Sequence, residues 1–142
     1  MILYLDTSAL VKLYIEEVGS DEVASTVSKA GVVVTARVTY AEARATFARL
    51  AREGVIAAAA HRRVVRDLDE DWFAYTIVDV SEVVVRRAGG LAERHNLRGY
   101  DAVQLAAALE VRLVGGTDVS FASFDSRLNQ AARRERLVLG FV

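Results

Sequence analysis

The chain has no cysteine, no proline, only two lysines and no long apolar run. Without a thiol there is no disulfide scaffold, zinc–thiolate site, iron–sulfur cluster or thiol nucleophile. A formal net charge of −1 and a pI near 6.1 exclude a histone-like or polybasic binder. The N-terminal apolar run Met1–Leu5 stops at Asp6, and the alanine-rich stretch Val55–Ala60 runs into His61-Arg62-Arg63. Both are too short for a signal h-region or a bilayer span. The expectation is a soluble, cytoplasmic chain with no membrane contact.

What is present suits a packed domain. Of 142 residues, 53% are hydrophobic, enough for a core and too many for disorder at this charge. One domain over 1–142 is expected. Of the 18 basic residues 16 are arginines, the better phosphate fork, so a local basic groove remains compatible with the neutral balance.

Short β-rich apolar runs alternate with longer helical patterns, the mark of an α/β chain with a parallel sheet. Strands are expected at Ile2–Leu5, Val32–Val34, Phe73–Val78, Val119–Phe124 and Leu137–Leu139. Helices are expected at Ala9–Glu16, Asp21–Lys29, Thr39–Arg52, Val55–Asp69, Glu82–Arg94, Ala102–Arg112 and Ser126–Glu135. Thr39 with Glu42 reads as a capping box, Gly54 stands beyond that helix, and Gly115-Gly116 closes the sixth. Gly89-Gly90 weakens the middle of the fifth. The expected architecture is a three-layer α/β/α sandwich around a mainly parallel sheet of about five strands.

Four acids fall where this framework has one edge. Asp6 ends the first strand, Glu42 sits in the first turn after the second, Asp101 opens a helix and Asp125 ends the fourth strand. Carboxyl ends of parallel strands and the helix starts that follow share the edge where open α/β sheets bind ligands. Each acid alone has an ordinary reading as a helix-terminus residue, although Ser8 is a cap candidate that would leave Asp6 free. Together, two carboxylates about 4 Å apart at an effective dielectric of about 20 repel by roughly 4 kcal/mol. A cluster is therefore unfavourable unless protons or a cation neutralise it. All-oxygen donors suit Mg²⁺ or Mn²⁺ rather than zinc, and such an ion supports phosphodiester hydrolysis without a histidine base. His61 and His95 read as solvated or helix-end residues.

The same residues resemble a known family. Leu3-Tyr4-Leu5-Asp6-Thr7-Ser8-Ala9-Leu10, Ala41-Glu42, Arg98-Gly99-Tyr100-Asp101-Ala102-Val103-Gln104-Leu105-Ala106 and Ala122-Ser123-Phe124-Asp125-Ser126-Arg127-Leu128 follow in the order of the PIN-domain ribonucleases, specifically toxins of the VapC type. The resemblance spans essentially the whole chain. It implies a Mg²⁺- or Mn²⁺-dependent endoribonuclease with Asp6, Glu42 and Asp101 as core acids and Asp125 as the fourth, Asp118 being the other candidate. Thr7, Ser8 and Ser123 occupy the family's hydroxyl positions. It also implies an RNA substrate, a cognate antitoxin covering the active site, and a homodimer, for which Val55–Ala60 with Val64 and Val65 is the apolar segment at hand. Gln104, one turn beyond Asp101, shares its helix face. Arg44, Arg49, Arg52, Arg62, Arg63, Arg66 and Arg98 are candidate phosphate contacts, with Arg49 and Arg52 on one face and Arg44 out of step. A phosphoacceptor receiver domain fits poorly, since Thr7 follows Asp6 and only Lys12 and Lys29 are lysines. A catalytically inactive PIN-like protein- or RNA-binding module is the better rival.

Overall fold

The computed structural model describes residues 1–116 and 118–141. Five parallel strands form one sheet: β1 (Ile2–Leu5), β2 (Val32–Ala36), β3 (Thr76–Val78), β4 (Val119–Ala122) and β5 (Val138–Leu139), in the order β3-β2-β1-β4-β5. Seven helices connect them: α1 (Thr7–Val11), α2 (Ser20–Lys29), α3 (Val38–Arg52), α4 (Ala58–Trp72), α5 (Glu82–His95), α6 (Gly99–Gly115) and α7 (Ser126–Arg134). β1 is central because both faces of its apolar run are covered. Leu3 and Leu5 pack with Leu10, Phe47 and Leu68 on one side, while Tyr4 packs with Leu105, Phe121 and Leu128 on the other. This two-residue alternation of a strand splits the core into two layers of helices. Among the described residues no helix is long and apolar enough to cross a membrane.

The expected three-layer sandwich is present, with local corrections. The first helix starts at Thr7 and stops at Val11 rather than spanning Ala9–Glu16, because Asp6 itself caps it by accepting from the Ala9 amide. Ser8 is not the cap. β3 is confined to Thr76–Val78, since Phe73–Tyr75 close the preceding helix with turns. Val55 and Ile56 precede α4 rather than belonging to it. The fifth helix runs unbroken through Gly89-Gly90. The Thr39–Glu42 capping box does not form: α3 begins at Val38 after Arg37, with no side-chain cap, and Glu42 lies beyond its first turn. Val64 is buried and Val65 packs against the core, which removes both from the apolar surface expected for a second copy.

The topology fixes where a site forms. The chain leaves β1 for β2 on one side and returns through β4 on the other, so the strand order reverses between β1 and β4. Open parallel sheets bind ligands beyond the carboxyl ends of the strands at such a reversal.

Candidate active site

A cavity of about 370 Å³ opens at this reversal, and Asp6, Glu42, Asp101 and Asp125 all line it. They come from the end of β1, the second turn of α3, the first turn of α6 and the end of the β4 loop. Asp118 precedes β4, is exposed and stands at the opposite sheet edge, so of the two candidates it is Asp125 that lines the cavity; Glu17, paired with Lys12, lines it as well. Among the described residues, no three His, Asp or Glu side chains stand in a ligating array. The acids ring the cavity rather than meeting at one point, as mutually repelling carboxylates do.

Asp6, Glu42 and Asp125 are each aimed by uncharged donors. Asp6 is 4% exposed, and its Oδ1 accepts from Ser8 Oγ at 2.7 Å and from the Ala9 amide at 2.9 Å. Burial pushes its carboxyl up from 3.8 to about 6, with the Ser123 and Ser8 hydroxyls and the Ala9 amide pulling back and Asp101 adding to the rise. Ser8 Oγ also accepts from the Phe124 amide at 3.0 Å, tying Asp6 to the loop that carries Asp125. Asp125 Oδ1 caps α7 by accepting from the Leu128 amide at 3.0 Å, while its own amide donates to Ser123 Oγ. The Asp101 carboxyl is raised by burial and then by the Asp125 charge, partly offset by Arg98 and raised again by Glu42. For Asp6 and Asp125 capping and cavity lining coincide: one oxygen caps the helix while the residue faces the site.

Glu42 is held by partners remote in sequence. Its Oε1 accepts from Thr7 Oγ1 at 2.7 Å and Gln104 Nε2 at 2.9 Å. Gln104, 2% exposed, is the hub. Its Nε2 also reaches Thr7 Oγ1 at 3.1 Å and Thr39 Oγ1 at 3.0 Å, and its Oε1 accepts from Tyr4 OH at 2.6 Å. A buried amide with all its capacity used is a rigid strut. Sequence reasoning placed Gln104 at the site but missed Tyr4 and Thr39. The available signal was a tyrosine inside an apolar strand, whose hydroxyl needs a buried partner.

Two cations reach the cavity wall, Lys12 and Arg49. Lys12 is committed elsewhere. Its Nζ bonds Glu17 Oε1 at 2.9 Å and the Val18 carbonyl at 2.8 Å, and lies 4.5 Å from the centre of the Phe124 ring. Gly19 completes this clamp at φ +95°, where any Cβ would come within 2.7 Å of that ring. Arg49 is about half exposed and among the described residues pairs only with Glu53, at 3.6 Å. Arg44 instead lies over the Tyr40 ring on another side of α3 and, with His61 and Arg62, lines a separate hollow. Arg52, Arg62, Arg63, Arg66 and Arg98 do not line the acidic cavity. Neither histidine does. His61 is partly exposed, and His95 ends α5 with its side chain 5% exposed, bonded to Glu135 rather than solvated.

Comparison with known proteins identifies the family and the fold. Residues 3–134 match the PIN domain family model. Ribonuclease VapC45 of Mycobacterium tuberculosis (strain CDC 1551 / Oshkosh) and Ribonuclease VapC49 of Mycobacterium tuberculosis (strain ATCC 25618 / H37Rv) are each 35% identical over 131 residues, covering 92% of this chain and 89% of theirs. A toxin–antitoxin complex from Klebsiella pneumoniae shares the fold at a TM-score of 0.69 with 14% identity, covering 98% of both chains. By sequence, by sheet order and by the acids gathered at its sheet reversal, the chain belongs to the PIN-domain family, in its VapC branch.

Proposed function

We propose that this chain is the endoribonuclease toxin of a toxin–antitoxin pair, hydrolysing RNA phosphodiester bonds at the acidic cavity with Mg²⁺ or Mn²⁺. The observation that carries the reading is that Asp6, Glu42, Asp101 and Asp125, from four segments distant in sequence, line one cavity, and that the most buried of them, Asp6, is pushed up to about 6. Membership of the VapC ribonucleases supports it. The donor set fits such an ion: its carboxylates are hard oxygen ligands, and no His or Cys lines the cavity. Asp6 and Asp101 would hold the ion directly, with Glu42 and Asp125 completing its surroundings. When bound, it supplies a more acidic water and neutralises charge on the phosphoryl group.

The chain's own residues do the rest. Glu42 accepts from Thr7 and Gln104 through Oε1, leaving Oε2 to orient the water that adds to phosphorus; the bond from phosphorus to the leaving ribose oxygen breaks, and that oxygen takes up the proton the water gives up. Arg49, the cavity cation with the weakest prior engagement, meets a non-bridging phosphate oxygen. The cognate antitoxin closes the cavity, and the toxin works as a homodimer. An exposed apolar hollow between α5 and α6, lined by Val85, Ala92, Tyr100 and Val103, supports a protein-covered face.

The test is sequencing of cleaved cellular RNA after a brief expression pulse, beside an Asp6→Asn control. Cuts present with the wild type and absent with the control are expected. Identical cut patterns from both proteins would refute the assignment.

A further inference from the structure

The second large cleft lies away from the acids. It measures about 430 Å³ and is lined by Arg86, Arg87, Arg94 and Arg112, with Gly90 in its wall and Glu135 at its edge. This is a local excess of one charge in a near-neutral chain. From Glu82 onward nine arginines stand against seven acids, and two of those acids, Asp101 and Asp125, belong to the catalytic cavity. The remaining acids occupy two of the guanidiniums, Arg86 and Arg87, only loosely. Arg86 and Glu82 pair at 2.6 Å, with side chains 79% and 75% exposed, and Arg87 meets Glu110 at 3.5 Å. The Glu135 carboxylate is shared by Arg94 and His95, and its carbonyl accepts from Arg112. Exposed pairs of this kind contribute little, whereas a phosphate offers a guanidinium two oxygens in a matching fork.

We infer that this cleft binds the sugar–phosphate backbone of the RNA substrate beyond the point of cleavage. The inference rests on the ribonuclease reading and extends it to how the RNA is held. Helix α6 joins the two regions, with Asp101 in its first turn and Arg112 in its last. Eleven residues at 1.5 Å each separate them by about 16 Å, so only an RNA longer than the cleaved step spans both. Among the described residues no aromatic side chain lines the cleft, which leaves phosphate contact without base stacking and hence little dependence on sequence. Gly90 is helical, and a Cβ there meets nothing within 4 Å, so the wall stays open to a phosphate and a side chain can start from this position without a clash at its Cβ.

That opening provides the test. Gly90→Glu places a carboxylate in the cleft, and Gly90→Gln places the same bulk without charge. Binding of a long RNA hairpin and of a short single-stranded RNA is measured by fluorescence anisotropy across a salt series, and hairpin cleavage is followed for KM and kcat. The expected result is hairpin affinity about fivefold weaker in Gly90→Glu than in Gly90→Gln, with a shallower salt slope, raised KM, unchanged kcat and no effect on the short RNA. Equal hairpin affinity in the two variants overturns the inference. So does a poly-glutamate peptide that competes with the hairpin as well as RNA does, which would make the cleft an acidic-peptide site. Cleavage by the wild type with no Gly90→Glu effect removes the cleft alone. Cleft-dependent hairpin binding without any cleavage removes the ribonuclease reading and leaves the cleft.

Discussion

The acidic cavity and the arginine-lined cleft crowd like charges in opposite ways. In the cavity, Asp6 is buried, no cation bonds it, and its carboxyl is pushed up to about 6 while hydroxyls and amides fix its direction. In the cleft, charges sit at the surface, and burial of Glu135 is more than countered by hydrogen bonds from His95 and Arg94, which hold its carboxyl below the usual range. Burial without a counter-charge stores electrostatic free energy that a divalent ion can release. Exposure with loose pairing stores almost none and instead leaves groups ready to exchange partners.

The largest effect tests whether the buried acids act as one object. Asp6→Asn or Asp101→Asn should reduce RNA cleavage by about a thousandfold or more, equivalent to roughly 4 kcal/mol of barrier, measured by gel assay with the fold checked by circular dichroism. Residual activity within tenfold of wild type would separate the acids from the chemistry.

Stability should move the other way. Asp6 holds its proton more tightly when folded, so its contribution is fully present below about 3.8 and is lost as pH rises towards 6. The ionised group then costs about 3 kcal/mol at neutral pH. Asparagine retains the oxygen that accepts from Ser8 and Ala9. Asp6→Asn in chelator at pH 7.5 should therefore unfold at higher denaturant than wild type, and the gap should narrow towards pH 5. A less stable Asp6→Asn protein under those conditions would contradict the buried-charge account. Added Mn²⁺ should raise the melting temperature of the wild type and not of the variant.

Gln104→Leu removes the strut while keeping its bulk. It should lower kcat roughly ten- to a hundredfold with little change in KM, because Glu42 loses its direction while phosphate contacts persist. Arg49→Gln should show the converse pattern in steady-state kinetics, a KM raised several-fold with kcat within about threefold. The smallest effect belongs to the cleft's outermost pair: Glu82→Gln should leave the unfolding midpoint within about 0.5 kcal/mol of wild type in urea titration.

Most of the framework was legible because periodicity is a local property. The continuous apolar run Ile2–Leu5 marks a strand covered on both faces, helical spacing in Glu82–Arg94 marks the face a helix buries, and both survive in the sequence. The failures were also local in form. Thr39-x-x-Glu42 has the pattern of a capping box, yet Thr39 is buried at the Gln104 amide, and Glu42 is taken by Thr7 and Gln104. Partners 65 and 62 residues away won over a cap a few residues away. Ser8 likewise serves Asp6 and Phe124 rather than the helix start.

The order of strands and acids, the shortage of lysine and the absence of thiols were fixed by the sequence, because residue type sets which chemistry is available and period sets which face is buried. Only tertiary structure decided that Asp125 rather than Asp118 lines the cavity, that Gln104 braces Glu42, and that Arg49 rather than Arg44 reaches it. Those choices depend on which side of the sheet reversal each loop emerges, and that is set by packing between segments far apart in the chain.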